Sequence, residues 1–501
     1  MITPYTRGGL LLVLLLVLSV RAQADGKPDL LGGLGQGILS LGKGADAMQV
    51  DLTWSPGYGH IHYDGLGLLV FAQGKELLSD LGYTHTRWRE WTIQSAAHNL
   101  VVVDEANQVA NKNTLGNLRY FHVTDAVQMM SVDNPQVYPG VTDVYRRTVA
   151  LVKLDESNGY VVDIFRVRGG KQHDYFLHGS ADDPQTLEAK VAAGSLEVTA
   201  PDTLVPPGVA FKAATNEGEY HMEPGMAYGY FHDLKQSALG SDTLVDLIYQ
   251  TEQSPAGLRV FTLAKAGDQL IVGTNPAIRG AGSDDSKLPQ YNRQFAMLRR
   301  QGGDSLFVSI LAPHGEQKLV RGAKLVTLPG AAVALAVDAG KRQDLVIIEG
   351  QQARGQWLGQ PVEAKAELAI IATEGGAAIC ATAVAGPIKF GKLSLECTGM
   401  LQAKLLGVER KDGAGTLLLD DGFVPAPGTV IVVDHGGKRC SPYTVKSATR
   451  EGRQVRVELA EDPGFEYDAA AQTSQFIFLP RESYTGEHVV RFYPLAQMAV
   501  K

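Results

Sequence analysis

The feature that most constrains this chain is a short repeating rhythm. Apolar stretches of about 5–8 residues recur along it, each closed by Gly, Asn, Asp or Pro. Clear cases are 68–72, 76–81, 99–103, 147–153, 160–167, 243–250, 259–264, 269–273 and 306–311. No apolar stripe at i, i+3, i+4, i+7 is sustained over a helical length. The sequence holds 56 Gly and 23 Pro, enough to punctuate many such segments. The rhythm predicts an all-β protein, a large antiparallel β-sandwich of stacked sheets rather than a propeller. Gln73-Gly74-Lys75, between 68–72 and 76–81, reads as a hairpin turn.

The chain is 501 residues long, room for about two to four domains. Its start carries Arg7, an unbroken apolar run from Leu10 to Leu18, and the small-x-small site Ala22-Gln23-Ala24. This order reads as a secretory signal peptide over 1–24; the run is short for a membrane span. Residues 25–36, rich in Gly, read as a linker. The sandwich is expected over 37–350 and a smaller C-terminal β domain over 360–501, divided at the polar stretch GQQARGQWLGQP. Strands of the second unit are expected at 368–373, 416–419, 429–434, 454–459 and 474–479. The expected location is outside the cytoplasm: periplasm, cell envelope or extracellular space. No later segment is apolar enough for a membrane span. Removing Arg7 and Arg21 takes the formal charge from −8 to −10, which argues against a nucleic-acid partner. Three cysteines, Cys380, Cys397 and Cys440, exclude a disulfide scaffold; one pair has room to bridge, and spacing does not say which.

The chemistry gathers between residues 57 and 98. Four of the 12 histidines fall here: His60, His62, His85 and His98. The hairpin that follows His60-x-His62 returns Asp80 toward its own start, and His98 heads the next strand. His62, Asp80 and His98 can thus meet at one end of neighbouring strands. Two imidazoles and a carboxylate are a suitable set for zinc. Each has an ordinary reading as well: a surface histidine pair, a turn aspartate and a core histidine. Arg87, Trp88, Arg89 and Trp91 suit an acidic sugar, with guanidinium on carboxylate or sulfate and indole on a ring face. They suit a structural packing cluster equally. His173, Asp174 and His178 form a second polar group, but the two histidines need not share a strand face. Asp434-His435 and Cys440 are too sparse for a metal motif.

The ordered run Gly57-x-Gly59-His60-x-His62-x-Asp64, then the hairpin and Leu78-Ser-Asp80-Leu-Gly82, then Ala97-His98-Asn-Leu-Val-Val-Val-Asp104, resembles the signature of heparinase II/III-like polysaccharide lyases. Val162–Gly170 and His173–His178 resemble a later pair of family strands more weakly. The resemblance implies that His62, Asp80 and His98 are zinc ligands and that His60 is the active-site histidine. It also implies β-elimination of acidic, uronate-containing polysaccharides such as heparan sulfate or alginate. Leu100 stands where the family commonly has Thr.

Family members usually place a helical toroid before this β domain, and the toroid supplies the catalytic Tyr and a neutralising side chain. About 30 residues separate Ala24 from Gly57, too few for a toroid. The expectation is therefore a lyase that draws the toroid from a separate chain, or that uses a β-domain tyrosine such as Tyr58, Tyr63 or Tyr83. The alternative is a non-catalytic carbohydrate-binding or scaffold protein.

Overall fold

A computed structural model describes residues 27–55, 62–191, 199–411, 413–478 and 481–499. The expected signal peptide and His60 lie outside these residues, as does Tyr58. The one α-helix among the described residues is Arg89–Ile93; nearly all other regular structure is antiparallel strand. No helix there is long and apolar enough to cross a membrane.

The sheets stack in layers around a central eight-stranded sheet, which runs from Gln185–Val191 at one edge to Asn117–Val123 at the other. Its strand Gly159–Gly169 shows why it is central. Val161, Phe165 and Val167 point into one apolar core, while Tyr160, Val162 and Ile164 point into another. A strand alternates faces every residue, so apolar side chains on both parities require cover on both sides. Burying each such side chain contributes about 1.5–3 kcal/mol.

The first face is covered by a five-stranded sheet containing Val101–Val103, Gln172–His178 and Asn292–Gln301. The N-terminal five-stranded sheet, from Asp29–Leu31 to Lys75–Leu78, shares the same core. The second face is covered by a six-stranded sheet containing Arg342–Gly350 and Leu368–Glu374. A four-stranded sheet packs on the far side of that one. Residues from Leu401–Lys411 to His488–Phe492 close a six-stranded barrel, which packs against the edge strand Asn117–Val123 of the central sheet.

Two expected boundaries differ from what the strands do. Residues 25–36 are not a plain linker: Asp29–Leu31 pairs with Gln36–Leu41. The glycines close this hairpin, and Gly32 lies so near Pro442 of the barrel that a Cβ would clash at 2.2 Å. The stretch near 350–360 does not divide two units either. Arg342–Gly350 pairs with Leu368–Glu374 across it, and the stretch itself forms the hairpin Ala353–Trp357 with Gln360–Ala364. Polar, Gly-rich composition marks a turn as readily as a domain boundary.

The hairpin at residues 68–78 is the element that positions the site. Gln73 and Gly74 both have positive φ, 56° and 72°, the backbone of a two-residue hairpin turn whose twist matches its strands. The three cysteines are unbridged.

Candidate metal centre

Asp64, His62, Asp80 and His98 converge at the mouth of this hairpin. One ligand atom from each lies within 4.8 Å of the others. His98 Nδ1 is 2.6 Å from Asp80 Oδ2, and His62 Nδ1 is 3.9 Å from Asp80 Oδ1. The two imidazole rings are 5.3 Å apart. His98 is buried, and its Nε2 has no hydrogen-bond partner. The structure thus brings His62, Asp80 and His98 together and adds Asp64, two residues after His62. The His-x-Asp spacing was the signal for it.

The electrostatics suit a cation. Burial lowers the pKa of His62, against the pull of Asp80, which favours the neutral ring a metal needs. Burial opposes charge on both members of the Asp80–His98 pair. Their mutual attraction outweighs it, so Asp80 is held well below the usual carboxylate range and His98 is raised. Burial, with Asp64 and Asp80 nearby, pushes the Asp51 carboxyl up to about 7. Clustered carboxylates beside a neutral imidazole and an orphaned ring nitrogen fit a divalent cation of the zinc type.

Rigid supports surround the cluster. Asn99 donates to the carbonyls of Leu68 and Ser79, and its Oδ1 accepts from the His178 amide at 2.6 Å. Arg293 donates to the carbonyls of Ser79 and Ala97, the residues just before Asp80 and His98, at 3.0 and 2.6 Å. Arg147 donates to the carbonyls of Leu66 and Asn99 and grips Asp163 bidentately. Single arginines inside apolar strands gave little warning of these roles.

The segment 87–91 folds as a helical turn. Arg89 is buried, its Nη1 lies 3.3 Å from His62 Nε2, and its guanidinium stacks over Tyr83 at 3.9 Å. Arg87 and Trp88 are half-buried, with the Arg87 guanidinium 5.8 Å from the Trp88 ring. Trp91 is core, its Nε1 donating to the Pro276 carbonyl, which corrects its reading as a sugar contact. Glu90 is buried and holds the segment 211–230: it accepts from the amides of Ala214 and His221, from His221 Nδ1 and from the Tyr230 hydroxyl. Tyr63 donates its amide to the Ile93 carbonyl, and Tyr83 is exposed.

His173 and His178 do not meet. His173 bonds Ser305 and the Gly169 carbonyl, whereas His178 faces Asn275. Asp434 pairs with Arg491, and His435 lies against Ser474.

The fold and site define a layered antiparallel β-sandwich with a two-His, two-Asp cluster at the end of a hairpin. Residues 34–215 match the family model described as heparinase II/III-like, C-terminal. It is 26% identical over 309 residues to an exo-oligoalginate lyase of Saccharophagus degradans, covering 56% of this chain and 38% of that protein. It is 28% identical over 172 residues to an alginate lyase of Stenotrophomonas maltophilia, covering 30% and 23%. The chain thus spans well under half the length of these relatives. Among solved structures, it is similar to the heparan sulfate lyase HepC of Pedobacter heparinus, with a TM-score of 0.43 and 14% identity over 64% of this chain and 42% of that one.

Proposed function

We propose that this chain is the sandwich portion of an exported lyase that cleaves acidic, uronate-containing polysaccharides, such as alginate or heparan sulfate, by β-elimination. The observation that carries the reading is the His62–Asp64–Asp80–His98 cluster, which lies within the residues matching the lyase-type domain. The names of the relatives, lyases of alginate and heparan sulfate, support the substrate class. The apolar run and small-x-small site before residue 25 support export to the periplasm, cell envelope or extracellular space.

In this reading His62, Asp80 and His98 hold zinc, with Asp64 as the fourth side chain at the site. The metal supplies a fixed positive centre that locks the hairpin end in one geometry. In the reaction a base takes the C5 proton of the uronate, the C5–H electron pair becomes the C4–C5 double bond, the C4–O pair leaves with the oxygen, and an acid protonates that oxygen. The uronate carboxylate must be neutralised for that proton to leave. His60 is the proposed proton-transfer residue. Arg89 lies against His62, while Arg87 and Trp88 stand half-exposed on the same turn, suited to an acidic sugar.

Incubation with alginate, heparin, heparan sulfate and chondroitin, with and without a toroid-bearing chain, tests the proposal. The expected result is the ultraviolet absorbance of an unsaturated uronate, lost in His60→Ala. Silence across the panel under both conditions would overturn the lyase reading in favour of a carbohydrate-binding protein.

A further inference from the structure

Adjacent residues on a strand face opposite ways, so Arg147 and Arg146 serve different sides of the central sheet. Arg147 reaches toward the metal cluster; Arg146 lines a cleft on the other face, between the central and six-stranded sheets. The cleft has a volume of about 480 Å³ and is walled by residues near Ile348–Gln351 and Lys365–Leu368. This size falls in the range of small-molecule sites, about 300–1,000 Å³.

Its charge is unusual. Arg146 and Arg166 are direct cross-strand partners, an arrangement of like charges that is unfavourable unless anions compensate. Arg168, two residues on, shares their face, and exposed Lys365 stands on the opposite wall. Compensation inside the cleft is incomplete. Arg146 uses Nε and Nη2 on Asp133, at 2.6 and 3.1 Å. Arg166 reaches Asp304 at 3.1 Å but Glu349 only at 3.6 Å. Arg168, 56% exposed, lies 3.7 Å from Asp143. Of the two acids that line the cleft, Glu367 is committed bidentately to Arg119. Arg146 and Arg166 are thus paired with aspartates, whereas Arg168 has only a long contact to Asp143 and Lys365 stands exposed on the opposite wall. Glu349 and Ala385, both on the wall, hold positive φ of 49° and 52°, a costly backbone for residues with a Cβ and one that gathers at ligand clamps.

We propose that this cleft is a second binding site for an acidic oligosaccharide, separated from the metal cluster by the central sheet, with Arg146, Arg166, Arg168 and Lys365 gripping its carboxylate or sulfate groups. Guanidinium forks match both anions bidentately. The choice of a sugar as the carrier rests on the lyase reading; the anion chemistry does not. Such a site keeps the polymer on the protein between encounters with the metal end, which raises its local concentration there.

Calorimetric titration of the full chain with tetramannuronate, a heparin tetrasaccharide and neutral cellotetraose, at low and high salt, tests this. One or both acidic probes should bind, more weakly at high salt, and cellotetraose should not. Tetramannuronate binding assigns the site to carboxylates, and heparin binding alone assigns it to sulfates. Arg168→Gln/Lys365→Gln, with both changes at exposed side chains, should weaken binding about tenfold. Adding Arg166→Gln should weaken it further, with the thermal midpoint as the check on folding. Arg456→Gln, which removes an arginine from the surface of the barrel, should leave this binding unchanged. Binding undiminished in the cleft variants, or lost equally in Arg456→Gln, overturns the cleft and leaves the lyase reading standing. No binding of either acidic probe also overturns the cleft, while the lyase reading is judged separately by the unsaturated product.

Discussion

Arg147 Nη1 lies 2.5 Å from the main-chain oxygen of Asn99, the residue after His98. The same nitrogen donates to the Leu66 carbonyl at 2.8 Å, two residues after Asp64. One buried guanidinium thus fixes both sides of the two-His, two-Asp cluster from beneath, while Asp163 balances its charge. Breaking a fully buried pair leaves an uncompensated charge, so Arg147→Ala should cost about 3–5 kcal/mol. Denaturant unfolding measures this, and metal affinity should fall with it.

The purified protein should carry about one zinc per chain, since its donor set is that of a mononuclear site. Elemental analysis should show the metal lost in His98→Ala and reduced in Asp64→Asn. Chelation should lower the thermal midpoint, because metal binding adds directly to folding free energy. A folded, metal-free preparation unaffected by added zinc would remove the proposed centre.

Glu90 accepts four hydrogen bonds from residues 214–230 while buried in the helical turn that carries Arg89. Glu90→Gln replaces acceptor oxygens with an amide and should destabilise the protein by about 1–3 kcal/mol. Hydrogen exchange should rise first in residues 211–221. Uniform exchange across the chain would show that Glu90 is not their anchor.

Acid should separate the layers at Glu367. Burial opposes its charge, but the Arg119 fork outweighs burial and holds the carboxyl below its ordinary value of 4.5. A depressed folded-state pKa means that this stabilisation is complete above the usual carboxylate range. It is lost as pH falls through the folded value. Unfolding free energy should therefore drop with acid below about 4.5, and Glu367→Gln should flatten that slope.

The β character, the hairpin at Gln73-Gly74 and the strand around Tyr160–Val167 were legible in the sequence, because each rests on local periodicity and turn chemistry. The meeting of His62, Asp80 and His98 was legible for the same reason: they sit at fixed offsets around one hairpin, so short-range geometry brings them together. Asp64 was written in the same run and needed only the fold to show that it faces inward. Trp91 and Arg89 were read as sugar contacts from their residue types, yet a helical turn buries both. The polar stretch after residue 350 looked like a boundary and is a hairpin inside continuous layers.

What the chain alone determined is the strand content and the local meeting of two histidines and an aspartate. Tertiary structure decided the rest. It laid a sheet on each face of the central one and brought Arg147, Arg293 and Asn275 under the site from distant strands. It also placed Arg146 in a cleft on the far side. Those pairings join residues dozens to hundreds of positions apart, where no periodicity in the sequence reports which strand lies beside which.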